Sequence, residues 1–294
     1  MHRYTTYRLR TALALACLLI PASASAQESG ITSICDHADA EARQQLENGD
    51  PDRALEIYNY CENVLIKEGY DALQPDLLHN KAVACYRMGK IGQAIGYLKQ
   101  LSILEPSGTT DAQIHELQTL VEHDVYRRSP GTMFVRGESN AYTSWKLMQQ
   151  FSTDSLIISL FIVWPLFFIF IGMRIYCKKL RHTRFLLNTA IALSTIILIL
   201  MTIVLVHKYK VSQISFAVLT GNSSVSDAPV KGQRIKDESF VPGMTVRIIS
   251  TTGEWVLIER FDGVRAWLVA DEIYPLHTRE SQHNAPQADT QPKR

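Results

Sequence analysis

The sequence predicts a multi-domain chain in three parts: an all-α helical-repeat domain, a two-helix transmembrane hairpin and a small all-β barrel. Three observations carry this reading. Residues 156–173 and 185–206 form two long stretches without a single charge. Before them, apolar and small residues recur at helical spacing and at matched offsets. After them, short β-rich runs alternate with glycine-containing turns. The whole-chain averages, 46% apolar and a net charge of +1, conceal this segregation.

Residues 1–26 read as a secretory signal. His2, Arg3, Arg8 and Arg10 make a basic start, residues 11–20 are a short apolar run, and Pro21 ends it. Ala24-Ser25-Ala26 supplies the small residues that a signal peptidase needs, so cleavage after Ala26 is expected. Cys17 follows Ala14-Leu15-Ala16 in the manner of a lipoprotein box, but the apolar run continues past it to Ile20. Of the five cysteines, Cys17 would leave with the signal and Cys177 sits at the cytoplasmic end of the first span. Cys35, Cys61 and Cys85 are left, with no CxxC spacing to suggest zinc or thioredoxin-type chemistry.

Both uncharged stretches are long enough to cross a hydrocarbon core of about 30 Å, the first with help from its flanks. The spans are placed at 155–176 and 185–206, joined by a loop at 177–184. Around that loop stand Arg174, Lys178, Lys179, Arg181 and Arg184, with no acidic residue. A connection this short and basic stays in the cytoplasm. Both flanks, 27–154 and 207–294, are then expected on the extracytoplasmic side of a bacterial inner membrane, in agreement with the signal.

Residues 27–126 carry 17 acidic against 7 basic side chains, a net charge of −10. Within them, Leu78, Ala82, Gly89, Ala94, Tyr97, Leu98, Leu101 and Pro106 fit two antiparallel helices. Small residues lie at the close approach, Gly89 in the turn and Pro106 at the end. This segment resembles the tetratricopeptide repeat. A weaker copy precedes it, with Ala42, Gly49, Ala54, Tyr58 and Cys61 at matching offsets, 40 residues earlier rather than the usual 34 or so. A helix over 111–127 would cap the stack, so the repeat domain is placed at 27–128 and a linker at 129–154. By analogy with the repeat, Asp39, Arg43, His79, Val83, Tyr86 and Arg87 would line a concave partner-binding surface. In the same register Cys35 and Cys61 become candidates for a disulfide, because antiparallel packing brings their helix ends together. A Cys61–Cys85 pair and three buried thiols are the alternatives.

Beyond Lys210 the pattern alternates. Strands are expected at 215–219, 245–249, 254–259 and 265–269, separated by Pro242-Gly243, Thr251-Thr252-Gly253 and Asp262-Gly263. Residues 240–268 resemble bacterial SH3-like domains, with Ala266 where a glycine is usual before the last tryptophan. The domain is placed at 207–276 and a disordered tail at 277–294. Trp267 is assigned to the core, and Trp255 is left as a candidate ligand platform.

No GxSxG, HExxH or GxxxxGK motif occurs. Asp36-His37-Ala38-Asp39 and Glu122-His123-Asp124 place acids beside histidine, but neighbouring residues on a helix point in different directions. No catalytic activity, cofactor, metal or nucleic-acid partner is expected.

The order of signal peptide, tetratricopeptide-like repeats, two spans around a basic loop and SH3-like domain resembles the E-type member of the Bat (Bacteroides aerotolerance) family. That resemblance implies a non-enzymatic membrane-anchored scaffold in an envelope complex, linked to oxidative or other stress. Its partners would include membrane proteins with von Willebrand A domains. The alternative is a cell-wall accessory protein that binds peptidoglycan through the SH3-like domain. A third class is a redox sensor using the exported cysteines.

Overall fold

The computed structural model describes residues 23–68, 74–128, 139–151, 153–176, 181–221, 224–230, 235–236 and 240–277. Most of the segment expected as a signal (1–22), part of the expected cytoplasmic loop (177–180) and the tail from 278 onward lie outside the described residues. The chain is mostly helical with a small antiparallel sheet, and it divides into two units, Met1–Ala72 and Leu73–Arg294.

The first unit is a helical hairpin of α1 (Ser23–Glu47) and α2 (Pro51–Lys67). Asp50 caps α2, its carboxylate accepting from the Arg53 N–H at 3.1 Å, and Pro51 fits the first turn, where no N–H is needed. Ala54, Tyr58, Cys61 and Leu65 form the buried stripe of α2, and Ala42 and Leu46 meet it from α1.

The second unit opens with another hairpin, α3 (Pro75–Arg87) and α4 (Ile91–Leu104). Its turn repeats that of the first bond for bond. Lys90 N–H donates to Cys85 O and Gly89 N–H to Tyr86 O, both at 2.9 Å. In the first hairpin Asp50 N–H donates to Gln45 O at 2.9 Å and Gly49 N–H to Leu46 O at 3.3 Å. Both turns need one left-handed residue, met by Gly49 at φ 82° and Gly89 at φ 73°. Leu78, Ala82, Ala94, Leu98 and Leu101 are all buried, as expected for the seam. α5 (Gly108–Arg128) then packs on α4 through Ile114, Leu117 and Val121.

Residues 139–151 correct the linker expected at 129–154. They hold a helix, α6 (Asn140–Gln149), started by Ser139, whose Oγ accepts from the Tyr142 N–H at 3.0 Å. Tyr142 and Trp145, three residues apart on one face, are each 1% exposed. Burial of two large aromatic side chains organises a segment whose polar composition reads as connecting chain.

α7 (Thr153–Tyr176) and α8 (Arg181–Ser212) pack against each other. Both contain helices long and apolar enough to cross a membrane, Thr153–Ile175 and Phe185–Ser212. A core helix of a soluble protein would be covered. Here none of the most apolar window of the first and 6% of that of the second is buried. α8 runs past the expected boundary at 206, and Lys208, near its end, donates to the carbonyl of Phe151 ahead of α7.

The sheet follows: β1 (Ser215–Leu219), β4 (Thr245–Thr252), β5 (Trp255–Glu259), β6 (Arg265–Val269) and β7 (Ile273–Leu276) in the order β6-β5-β4-β1-β7. Next to it lies the short pair β2 (Ser224–Val225) and β3 (Ile235–Lys236). All pairings are antiparallel. Ala217, Leu219, Phe240, Val246, Val256, Ile258, Ala266 and Leu268 lie in its hydrophobic core.

Candidate functional site

Two surfaces hold the candidate residues, one in each unit. In the first unit Asp39 and Arg43 lie one turn apart on α1 and pair at 2.8 Å. Asp39 also accepts from the Tyr58 hydroxyl at 3.4 Å. Burial, and then the neighbouring Asp39 carboxylate, push the Tyr58 phenol up to about 12. Asp39 is therefore engaged within its own hairpin. Beside it, His37 and Glu41 of α1 and Arg53, Glu56, Ile57 and Tyr60 of α2 line an open groove of about 680 Å³. Arg53 and Glu56 pair at 2.6 Å on its wall.

Farther from the Gly49 turn on the same seam, Cys35 Sγ and Cys61 Sγ lie 2.8 Å apart, although α1 begins at Ser23, so Cys35 is mid-helix and not at the helix end expected of it. Cys35 is half-buried and Cys61 is 3% exposed. Cys85 is fully buried on α3 of the second unit, so the structure brings together the first candidate pair.

In the second unit His79, Val83, Tyr86 and Arg87 recur at i, i+4, i+7 and i+8 and share one face of α3. His79 and Val83 are half-buried; Arg87 is exposed and Tyr86 is 50% exposed. The opposite stripe of Leu78, Ala82 and Cys85 is buried.

Trp255 and Trp267 exchange the roles expected of them. Trp255 is 7% exposed and Trp267 is half-buried. The cause is strand alternation. Ala266 and Leu268 of β6 point into the sheet's core, which turns Trp267 to the other face. Trp255 is thus too covered to act as a ligand platform.

The seam between α4 and the sheet was not legible from motifs. Gly92 lies against the carbonyls of Leu219 and Thr220, Gly96 against Tyr274, and Gly243 against Ile95. The Tyr97 and Tyr274 rings meet edge-on with centroids 4.9 Å apart. Lys99, 2% exposed, donates to Thr245 Oγ1 at 2.5 Å and sits 5.3 Å from the Tyr142 ring centroid. The Gln100 amide pairs with the backbone of His277 as a strand would, donating to its carbonyl at 2.8 Å and accepting from its N–H at 2.7 Å. A glycine pair at i, i+4 is the one sequence signal of this close approach.

Among the described residues no three His, Cys, Asp or Glu side chains are grouped to hold a metal ion. Compared with family models, characterised proteins and solved structures, the chain matches none.

Proposed function

We propose that the protein is a non-enzymatic, membrane-anchored scaffold that recruits a protein partner on the α3 face formed by His79, Val83, Tyr86 and Arg87. One observation carries this reading. α4 is covered by α3, α5, α6 and the sheet, while the α3 face keeps Tyr86 and Arg87 at the surface. A half-exposed tyrosine beside an arginine is the composition that anchors protein interfaces. The bond-for-bond identity of the Gly49 and Gly89 turns, in register with Ala42/Ala82 and Ala54/Ala94, supports the tetratricopeptide-like assignment, and the antiparallel strand order supports the SH3-like one. Architecture likewise favours the Bat-type reading, a part in an envelope complex linked to stress. A photo-crosslinking residue in place of Tyr86 should transfer to a discrete membrane-complex protein in native membranes, and Arg87→Glu should abolish the adduct. Equal transfer from the exposed tip at Thr251, or none from position 86, would overturn the proposal.

The same reading places both soluble flanks outside the cytoplasm. α4 precedes the two apolar helices and β1 and β7 follow them, yet they pack together, which supports one membrane face for both. The five-cation connection and the signal-like start assign that face to the exterior. Alkaline phosphatase fused after Lys210 should be active and a fusion after Arg181 inactive. The reverse pattern would exclude this topology.

A further inference from the structure

We infer that Cys35 and Cys61 are a redox-active pair, with Cys35 the entry thiol and Cys61 the resolving one, that a small or protein-borne disulfide oxidises to an intramolecular disulfide. The sulfurs already stand 2.8 Å apart across the α1–α2 seam, so closure needs little backbone movement. Their exposures differ: Cys35 reaches solvent, whereas Cys61 belongs to the buried stripe with Ala54, Tyr58 and Leu65. An incoming disulfide therefore meets Cys35 first. The Cys35 thiolate attacks one sulfur of the oxidant, breaking its S–S bond, and the first leaving thiolate takes up a proton. The Cys61 thiolate then attacks Cys35 Sγ and displaces the second thiol. The pair loses two protons and two electrons, and the oxidant becomes two thiols.

The bond would clamp the hairpin on the side of the groove away from the Gly49 turn. Between these two fixed points lies the groove of His37, Glu41, Arg53, Glu56, Ile57 and Tyr60, whose width oxidation would then hold. The chemistry is independent of what the α3 face binds.

The test uses the full chain in detergent, reduced and then equilibrated with oxidised and reduced glutathione at graded ratios. Alkylation, digestion and mass spectrometry follow. A Cys35–Cys61 linked peptide should form at the oxidising end, vanish on reduction and persist in Cys85→Ala. Cys61→Ala should trap glutathione on Cys35, and Cys35→Ala should leave Cys61 alkylatable after denaturation. Two free thiols at the oxidising end, or a Cys61–Cys85 link, would overturn the pair. Glutathione captured on Cys61 in Cys35→Ala would overturn the assigned order.

Discussion

Trp145→Ala is expected to destabilise the packing of α6 on the sheet by about 3–5 kcal/mol, the cost of emptying a buried aromatic site that cannot collapse. Trp145 is 1% exposed and lies 5.3 Å from Phe216 of β1 and 5.9 Å from Tyr142, centroid to centroid, while Tyr142 and Phe216 stand 5.4 Å apart. Tyr142 and Phe216 each lose a partner when the indole goes, and edge-on or offset geometry adds to the simple area term. The cluster also couples distant parts. α6 packs on α8 and on α4, Phe216 belongs to the sheet, and Lys99 lies over Tyr142. Hydrogen exchange in detergent should show faster exchange at β1 and β7, while α7 and α8 keep their helical signal. Trp145→Phe retains a ring and should lose less. Unchanged protection of β1 in Trp145→Ala would show that the aromatic cluster does not hold α6 to the sheet.

Gly92→Val is expected to separate α4 from the sheet, at a cost of about 1–3 kcal/mol or more. A Cβ at position 92 would stand 2.5 Å from Thr220 O, 2.7 Å from Leu219 O and 2.8 Å from Pro242 Cβ. Those carbonyls cannot easily retreat. Leu219 O accepts from the Gly243 N–H at 2.8 Å, and the Thr220 N–H donates to Glu272 O at 3.0 Å. On an exposed helix, replacing glycine by alanine gains about 1 kcal/mol in propensity. Here the collision decides the sign, so even Gly92→Ala should destabilise. Gly108→Ala is the control, because nothing lies within 4 Å of its Cβ position. Limited proteolysis should cut Gly92→Val in the segment 215–277 and leave Gly108→Ala intact. Equal resistance of both variants would remove the close approach as a determinant of docking.

Local chemistry determined which elements form. The two long apolar helices follow from long uncharged stretches, which meet the length needed to cross a bilayer. The hairpins follow from Gly49 and Gly89, because only glycine takes a left-handed φ without penalty, with Pro51 starting α2 and Pro75 starting α3. β1 and β6 begin and end where alternation and turn residues place them. Strand alternation even contained the side of the sheet that Trp267 faces, since small Ala266 and large Leu268 must share the core. Which surfaces meet was decided by tertiary structure. The docking of helix α6 and the burial of Lys99 and Gln100 depend on segments far apart in sequence; Gln100 and His277 are 177 residues apart. A buried lysine or glutamine is tolerated only where a distant acceptor or strand end completes its hydrogen bonds, and one chain position carries no mark of a partner that folding alone brings to it.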